Sequence, residues 1–514
     1  MFLKTGFVSI TLLLASRLLG LLRESAQAAA FGTSGLGDVA VLVLSLPDWL
    51  TGMLASGALA YVLLPHWAVQ TAVGRAQSQR RVAQWLLGAG VLVALLLAVF
   101  AAQLSQLLIS GLPPSLLPLA TQGLRWSAVA LPAALLAALW VTRLQHERDF
   151  TGMYAANLVI NGVLIAALYL VAFGVYSVSA ITLLGLFLWL AMMLRLGWLR
   201  WRLKVFVVPG NIADGAVPMA LPRASLWGWA ALSAGLPLML PFVARSLASA
   251  AGEGALVTFN YAWKLVELPL VLAIQLVATL SFPAITRALA ADNRTGLDAS
   301  AVGRVPTSSL SDEAIRTVRG AFLIAWTLAC ACAAALQVGA PTLAHWLFGW
   351  GRMPAESLVV VAEWGAIGAF GLLPQALIAV ALSVLASLGR MRAVVWAYAA
   401  ALVVLLLLGL WIEGAGALLM MAINVVLSLV ALVAWLTLPR PTPGTQRGLS
   451  LLPWQAMMLP AGMVMTLGLA PPLNRILFLE PKSLQALILC SITAMIVIAM
   501  SYFTSAELRA ALKR

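Results

Sequence analysis

Apolar runs of about 20 residues or more recur along this chain, near 6–31, 37–66, 83–109, 116–143, 152–174, 177–199, 225–250, 256–285, 318–340, 357–388, 393–411, 415–438, 453–470 and 484–505. Runs of that length cross a bilayer as α-helices, whereas barrel strands read as alternating segments of about 10 residues. The composition agrees: 63% hydrophobic and 9% charged residues over 514 positions exclude a soluble globule. The expected fold is an all-α polytopic membrane protein of about 14 spans, with no room for a soluble catalytic domain.

The first run imitates a secretory signal peptide, with Lys4, an apolar stretch and the small residues Ala26-Gln27-Ala28. Arg17, Arg23 and Glu24 interrupt it, and a signal h-region is uninterrupted up to its cleavage site, so the run is expected to stay as the first span. Cys330, Cys332 and Cys490 all lie in apolar stretches and read as small packed hydrophobes, with no disulfide or metal framework.

Loop charge sets the orientation. Of the 31 Lys and Arg residues, 23 fall in every second connection, from Lys4 through Arg75, Arg80 and Arg81 to Arg509, Lys513 and Arg514. The opposite connections hold Arg352, Arg475 and Lys482. Cations accumulate on the cytoplasmic side, so both termini are expected there. The net charge of +14 is then a topology signal rather than a nucleic-acid footprint.

Two connections rich in Pro and Gly read as joints, 205–224 and 439–452. They divide the chain into six spans (1–204), six spans (225–438) and a C-terminal helix pair (453–514). A third long loop, 286–317, carries Ser309-x-x-Asp312, a helix-start pattern. Leu46-Pro47 and Pro65 in span two answer Leu268-Pro269 and Pro283 in span eight, each the second helix of its six-span unit. Two similar lobes around a central site are a common transporter plan.

Charges inside spans are costly and mark cavities or partners. On a helix, Arg17, Gly20, Arg23 and Glu24 fall within about 120° of arc, with Arg17 roughly 16 Å and Arg23 about 25 Å deep. Asp38 opens span two from the far side at a depth expected to match Arg23, which makes a gate pair. Lys264 and Glu267, three apart, share a face of span eight; Arg245 lies in span seven, and Arg125 close enough to the interface to snorkel. Arg17, Arg23, Arg245 and Lys264 against Glu24, Asp38 and Glu267 leave a positive excess, which suits an anion, and arginine holds phosphate oxygens with paired hydrogen bonds.

Ser16-Arg17-Leu18-Leu19-Gly20, Arg23-Glu24, Phe31-Gly32, Asp38, Leu46-Pro47 and Gly57-Ala58 followed by Pro65 resemble the opening of the MurJ/MviN family of lipid II flippases, in the multidrug/oligosaccharidyl-lipid/polysaccharide exporter superfamily. The similarity continues through Asn157 and Asn161, the run from Tyr261 to Pro269, and Leu347-Phe348-Gly349-Trp350-Gly351-Arg352. It implies a V-shaped transporter of two six-helix lobes plus a C-terminal helix pair, moving undecaprenyl-diphosphate-linked peptidoglycan precursor to the outer leaflet by alternating access. By the same resemblance Arg17, Arg23, Asp38 and Lys264 line a central cationic cavity, and the last two spans form a groove for the lipid tail. Where the family pattern has an arginine and an acid in span two, this chain has Gly52 and Ser56, and Lys264 stands where an arginine is usual. Arg245 is offered as a partial replacement for the missing charge.

The resulting expectation is a flippase, not an enzyme, of the bacterial inner membrane, working as a monomer with no cofactor, no metal and no nucleic-acid partner. Its substrate would be a lipid-linked oligosaccharide, and association with the cell-wall synthesis machinery stays open. Arg17, Arg23, Lys264 and Arg245 are assigned to the diphosphate, and Glu24, Asp38 and Glu267 to the gate and cavity. Span eleven offers no sodium ligand. The alternatives are a flippase for another polyprenyl-diphosphate glycan, or a drug or cation antiporter on the same scaffold, which would want an acid-dominated cavity. A membrane glycosyltransferase would need acid/base groups in outer loops, where only isolated Glu253, Glu413, Glu480 and His345 occur.

Overall fold

A computed structural model describes residues 2–513 except 176, 207–220, 302–311, 389, 440–450 and 470–479. The described residues are helical, with no strand among them. Helices α1 (Phe2–Phe31) and α2 (Gly35–Met53) are joined by a turn, and a π-helical turn, Leu54–Ala58, leads into α3 (Leu59–Ala68). There follow α4 (Ala72–Val99), α5 (Ala101–Leu108), α6 (Leu117–His146), α7 (Phe150–Ala172), α8 (Ala180–Leu203) and α9 (Ala224–Ala248). A second π-helical turn, Leu270–Ile274, separates α10 (Ala255–Pro269) from α11 (Gln275–Ala301). The remainder is α12 (Asp312–Phe348), α13 (Ala355–Ala369), α14 (Leu372–Ser387), α15 (Arg392–Ile412), α16 (Gly416–Thr437), α17 (Trp454–Leu469), α18 (Leu484–Thr504) and the short α19 (Ala506–Leu512).

Among the described residues, 11 helices are long and apolar enough to cross a membrane, or up to 12 if α13 and α14, bent by 47°, form one span. The charged α1 and the 16-residue α17 fall on the other two expected spans, so the all-helical polytopic architecture holds and the count of 14 is approximate. The helix start expected at Ser309, the cations Arg304, Arg440, Arg447 and Arg475, and most of both joints lie outside the described residues.

Each π turn follows the Leu-Pro pair of its span, seven residues after Pro47 and directly after Pro269. Such single-turn bulges free backbone groups from the regular ladder and concentrate at functional sites. The faint Pro repeat therefore corresponds to a repeated irregularity in the second helix of each six-span group.

Close packing divides the chain into two compact units: residues 1–260 with 347–357 and 413–415, and residues 261–346 with 358–412 and 416–514. In the first unit, α1, α2, α6, α7 and α8 share a core of Val39, Val43, Leu164, Leu168, Ile181, Leu184 and Leu188. Helix starts are set by side-chain caps: Ser34 Oγ accepts the amide of Gly37, Thr71 that of Gly74, Ser179 that of Thr182. Asp149 caps α7 and accepts two bonds from Arg202 at 2.7 and 2.9 Å, a fork that ties α8 to α7.

At the end of this unit where α1 meets α2, two glycine turns interlock. Gly32 (φ 58°) and Gly351 (φ 62°) both have left-handed backbone, and a Cβ on Gly32 would meet the Arg352 carbonyl oxygen at 2.5 Å. A Cβ on Gly351 would meet the Ala29 carbonyl oxygen at 2.5 Å, while the Arg352 amide donates to that same oxygen at 3.0 Å. Glycine is required at both positions on two counts, the sign of φ and the approach of backbone.

In the second unit, α12 is held by Trp326 Nε1 donating to the Met457 carbonyl of α17 at 3.0 Å, and by Arg319 forking onto Glu507 of α19. Cys330 and Cys490 are buried and Cys332 half-buried, all as free thiols.

Candidate functional site

Polar side chains in the first unit form one connected line through apolar helices. Arg23 donates from Nη1 to Asp48 Oδ2 at 2.8 Å and from Nη2 to Glu24 Oε1 at 3.0 Å. Glu24 Oε2 accepts from Asn260 Nδ2 at 3.2 Å, and Asn260 Oδ1 accepts from Arg245 Nη1 at 2.6 Å. The line Asp48, Arg23, Glu24, Asn260, Arg245 thus runs from α2 through α1 and α10 to α9. Asn260 suits its place because a carboxamide can donate to the acid and accept from the base.

The two bonds of Arg23 differ in weight. Its side chain and that of Glu24 are 11% and 7% exposed, so removing either leaves a desolvated charge at a cost of about 3 to 5 kcal/mol. Asp48 is 42% exposed, and a pair open to water is worth about 1 kcal/mol or less. Asp48 is the replaceable partner.

Asp38 does something else. Fully buried, it accepts the Gly254 amide at 2.7 Å on Oδ2 and the Val257 amide at 2.8 Å on Oδ1, so its carboxylate sits at the positive end of α10. The neighbouring Glu253 returns the arrangement by accepting the Gly35 amide of α2 at 2.9 Å. The expected pairing of Arg23 with Asp38 is corrected by these bonds. Arg23 lies eight residues, about 12 Å, before the end of α1. Its guanidinium is held instead by Asp48 of α2 and by Glu24, while Asp38, in the first turn of α2, is taken by the amides of Gly254 and Val257.

Arg17 is exposed on α1, its charge acting on Tyr154 of α7. Arg245 lies against the Phe242 ring, 5.6 Å from its centroid, and lines a narrow crevice of about 10 Å³ with Val41, Ser45 and Leu256, room for at most one water. Gly52 faces α9 at Leu238, 3.4 Å from its Cδ1 by the position a Cβ would take, seven residues before Arg245 on the same helix. In the second unit Lys264 Nζ donates to Glu267 Oε2 at 2.8 Å, both side chains half-buried, as their spacing on α10 requires. Arg125 is exposed.

Two interior charges escape the loop count. Asp48 falls inside the expected span 37–66, and Arg195, one of the 23 cations counted to the connections although the run 177–199 contains it, lies eight residues before the end of α8 and is 5% exposed. Arg195 Nη2 donates to Asn157 Oδ1 of α7 at 3.1 Å. The first unit then sets Arg17, Arg23, Arg195 and Arg245 against Glu24, Asp38 and Asp48, and the sign of the excess is unchanged. Glu363, exposed on α13, is a further acid within an expected span. On α17, Gln455, Met458, Leu459, Gly462, Met463 and Thr466 line an open groove of about 550 Å³ with no charged group.

Comparison with known proteins follows the same direction. Residues 27–502 match the sequence model of the lipid II flippase MurJ family. A probable lipid II flippase MurJ of Rhizobium meliloti (strain 1021) is 27% identical over 385 residues, 70% of this chain, and the chain spans 65% of that relative's length. Among solved structures, a lipid II flippase MurJ in an inward closed conformation superposes with a TM-score of 0.76 at 13% identity, covering 97% of this chain and 99% of that one. An inward-facing MATE family multidrug resistance transporter of the MOP superfamily gives 0.56 at 16% identity, covering 82% and 93%. At these identities the structures speak to the fold.

Proposed function

The chain belongs to the MurJ family of lipid II flippases, and on that premise we propose that it carries lipid II, a polyprenyl-diphosphate-linked peptidoglycan precursor, from the cytoplasmic to the periplasmic leaflet by alternating access. The observation that carries the reading is the polar line in the interior of the first unit, which sets Arg23 and Arg245 among apolar helices, with Arg17 exposed six residues before Arg23 on α1. An anion desolvated there gains charge-assisted hydrogen bonds that water would otherwise supply. A drug or cation antiporter would want the opposite sign.

In this reading Arg17, Arg23 and Lys264 hold the diphosphate and Arg245 supports the field from behind. The bonds of Asp38 to the start of α10 close the far end of the first unit, so Asp38 serves as a gate by releasing those amides, with Glu24 and Glu267 as cavity counter-ions. The moving bodies would be the lobes 1–204 and 225–438, with 453–514 receiving the lipid tail on the charge-free face of α17. The protein would reside in the bacterial inner membrane with both termini cytoplasmic, following its loop charge, and act as a monomer that transports rather than catalyses.

Depletion in the native cell tests this directly, with the accumulating lipid-linked precursor identified by mass spectrometry. Accumulation of lipid II supports the proposal. Accumulation of a different polyprenyl-diphosphate glycan moves the headgroup to an exopolysaccharide, the direction in which Gly52 and Lys264 would point; unchanged lipid intermediates would overturn the flippase reading.

A further inference from the structure

The turn between α3 and α4 is built on a chain of bonded side chains. Trp67, fully buried, donates from Nε1 to Ser78 Oγ at 2.9 Å, and Ser78 Oγ donates to Gln70 Oε1 at 3.0 Å. Gln70 Nε2 stands 2.8 Å from His66 Nε2, and Thr71 Oγ1 accepts the Gly74 amide at the start of α4. These neutral groups satisfy one another. The two cations that grip the same turn keep donors to spare. Arg75, in the first turn of α4, gives Nη1 to the Gln70 carbonyl oxygen at 3.2 Å, and its buried Nε has no partner among the described residues. Arg143, in the last turn of α6, lies over the Trp67 ring, 5.4 Å from its centroid, and gives Nη2 to Glu147 at 2.6 Å. Its buried Nη1 has no partner among the described residues.

Arg75 therefore keeps its Nε–Nη2 edge, a fork that fits two oxygens of one phosphate, and Arg143 adds a third donor without giving up Glu147. The Arg143 side chain is 8% exposed, and a desolvated donor without an acceptor is costly. The two like charges also act on each other, with Glu147 the one acid bonded to either among the described residues. An anion at the turn relieves both. The start of α4 puts the positive end of a 28-residue helix at the same place. The surroundings select the source of that anion. By loop charge the turn lies at the cytoplasmic surface, where the leaflet carries anionic headgroups. Val69 at the turn is exposed, and α4 leaves it with an exposed apolar face of Trp85, Val91, Leu92 and Leu95, the kind of surface that acyl chains cover.

We propose that Arg75 and Arg143 form a binding site for the phosphate of an anionic phospholipid of the cytoplasmic leaflet, with the headgroup on the α3–α4 turn and the acyl chains along α4. Arg75 takes two phosphate oxygens through Nε and Nη2, and Arg143 a further contact through Nη1. The site shares no residue with the line through Arg23. A bound lipid braces α4 against α6, so membrane composition sets the stability of this end of the first unit. The inference rests on the membrane orientation proposed above and is independent of which lipid-linked glycan is carried.

The test uses the full-length protein in an uncharged detergent, with dioleoyl-phosphatidylglycerol as the probe and native mass spectrometry of the lipid-bound fraction as the readout. The parent is expected to hold this lipid about fivefold more tightly than dioleoyl-phosphatidylcholine, and Arg75→Gln to weaken it about fivefold, the scale of one basic residue at an anionic lipid surface. Arg143→Gln should weaken it by a similar factor. Arg75→Lys keeps the charge without the fork and should recover only part of the affinity. Arg80→Gln removes an exposed cation five residues further along α4 and should bind like the parent. Thermal unfolding without lipid separates a folding defect in Arg143→Gln from lost binding, and the half-buried Arg75 carries the test if that variant does not fold. A parent that binds phosphatidylglycerol no more tightly than phosphatidylcholine, or unchanged binding by Arg75→Gln, would overturn the site. An equal loss in Arg80→Gln, or full affinity in Arg75→Lys, would replace it with diffuse surface charge. Inorganic phosphate that raises the unfolding temperature of the parent as much as phosphatidylglycerol does would overturn the lipid and assign the site to a soluble anion.

Discussion

The Asp38 carboxylate receives the Gly254 amide at 2.7 Å, joining the first turn of α2 to the start of α10 across 216 residues of sequence. With Val257 donating to the other oxygen, one acid satisfies two of the orphan amides that every helix start leaves behind.

Asp38→Ala is expected to strand both amides in a fully buried site and to cost about 2 to 5 kcal/mol, while Asp38→Asn, still able to accept one bond, costs about half as much. Thermal unfolding in detergent gives the ranking. Complementation of a depletion strain should follow the same order.

Gly32→Ala and Gly174→Ala separate two costs. Both glycines have positive φ, 58° and 70°, but nothing lies within 4 Å of a Cβ on Gly174, whereas Gly32 faces backbone. Gly174→Ala should lose only the left-handed penalty, about 1 kcal/mol, and Gly32→Ala clearly more. Equal losses in unfolding free energy would mean that the two turns do not pack as described.

Arg245→Ala removes the bond that orients Asn260 toward Glu24. The expected outcome is slower transport with a stability loss of about 1 to 2 kcal/mol. Arg245→Gln, which can still donate to Asn260, should recover the stability. Transport that also recovers would assign Arg245 to orientation rather than to charge; transport that stays low would assign it to the positive field.

Lys264→Arg replaces a point charge with a planar fork that can hold two phosphate oxygens at once. If Lys264 touches diphosphate, farnesyl diphosphate should bind about three- to tenfold tighter, and Lys264→Met should lose binding by a similar factor or more. Parallel measurement of unfolding controls for the lost pair with Glu267.

Arg319→Gln breaks the fork onto Glu507. Because Glu507 is 47% exposed, the loss is expected to stay near 1 kcal/mol and transport to be unchanged, which limiting-detergent stability curves and vesicle transport can check together.

Much of this molecule is legible from residue order alone, because crossing a bilayer is a local demand. Each stretch must satisfy its own backbone, so run length announces the helices and loop cations announce the side. The shared face of Arg17, Arg23 and Glu24, and the meeting of Lys264 with Glu267, likewise follow from the helical repeat within one element. Partner choice between elements is not local. Which acid meets Arg23 depends on how α2 passes α1 and on what else each acid can reach: Asp38 is taken by the Gly254 and Val257 amides, and Asp48 is left for Arg23. Arg195 stands near the end of the run 177–199, next to a cluster of loop cations, and the packing of α8 on α7, with its bond to Asn157, makes it an interior charge. Gly32 and Gly351 are merely glycines until the fold joins their turns, with the Arg352 amide 3.0 Å from the Ala29 carbonyl oxygen. The sequence thus determined what is in the membrane and the sign of what its interior can hold; tertiary structure decided the pairings, because a charge buried in a low-dielectric interior takes the partner that geometry, not chain distance, places within reach.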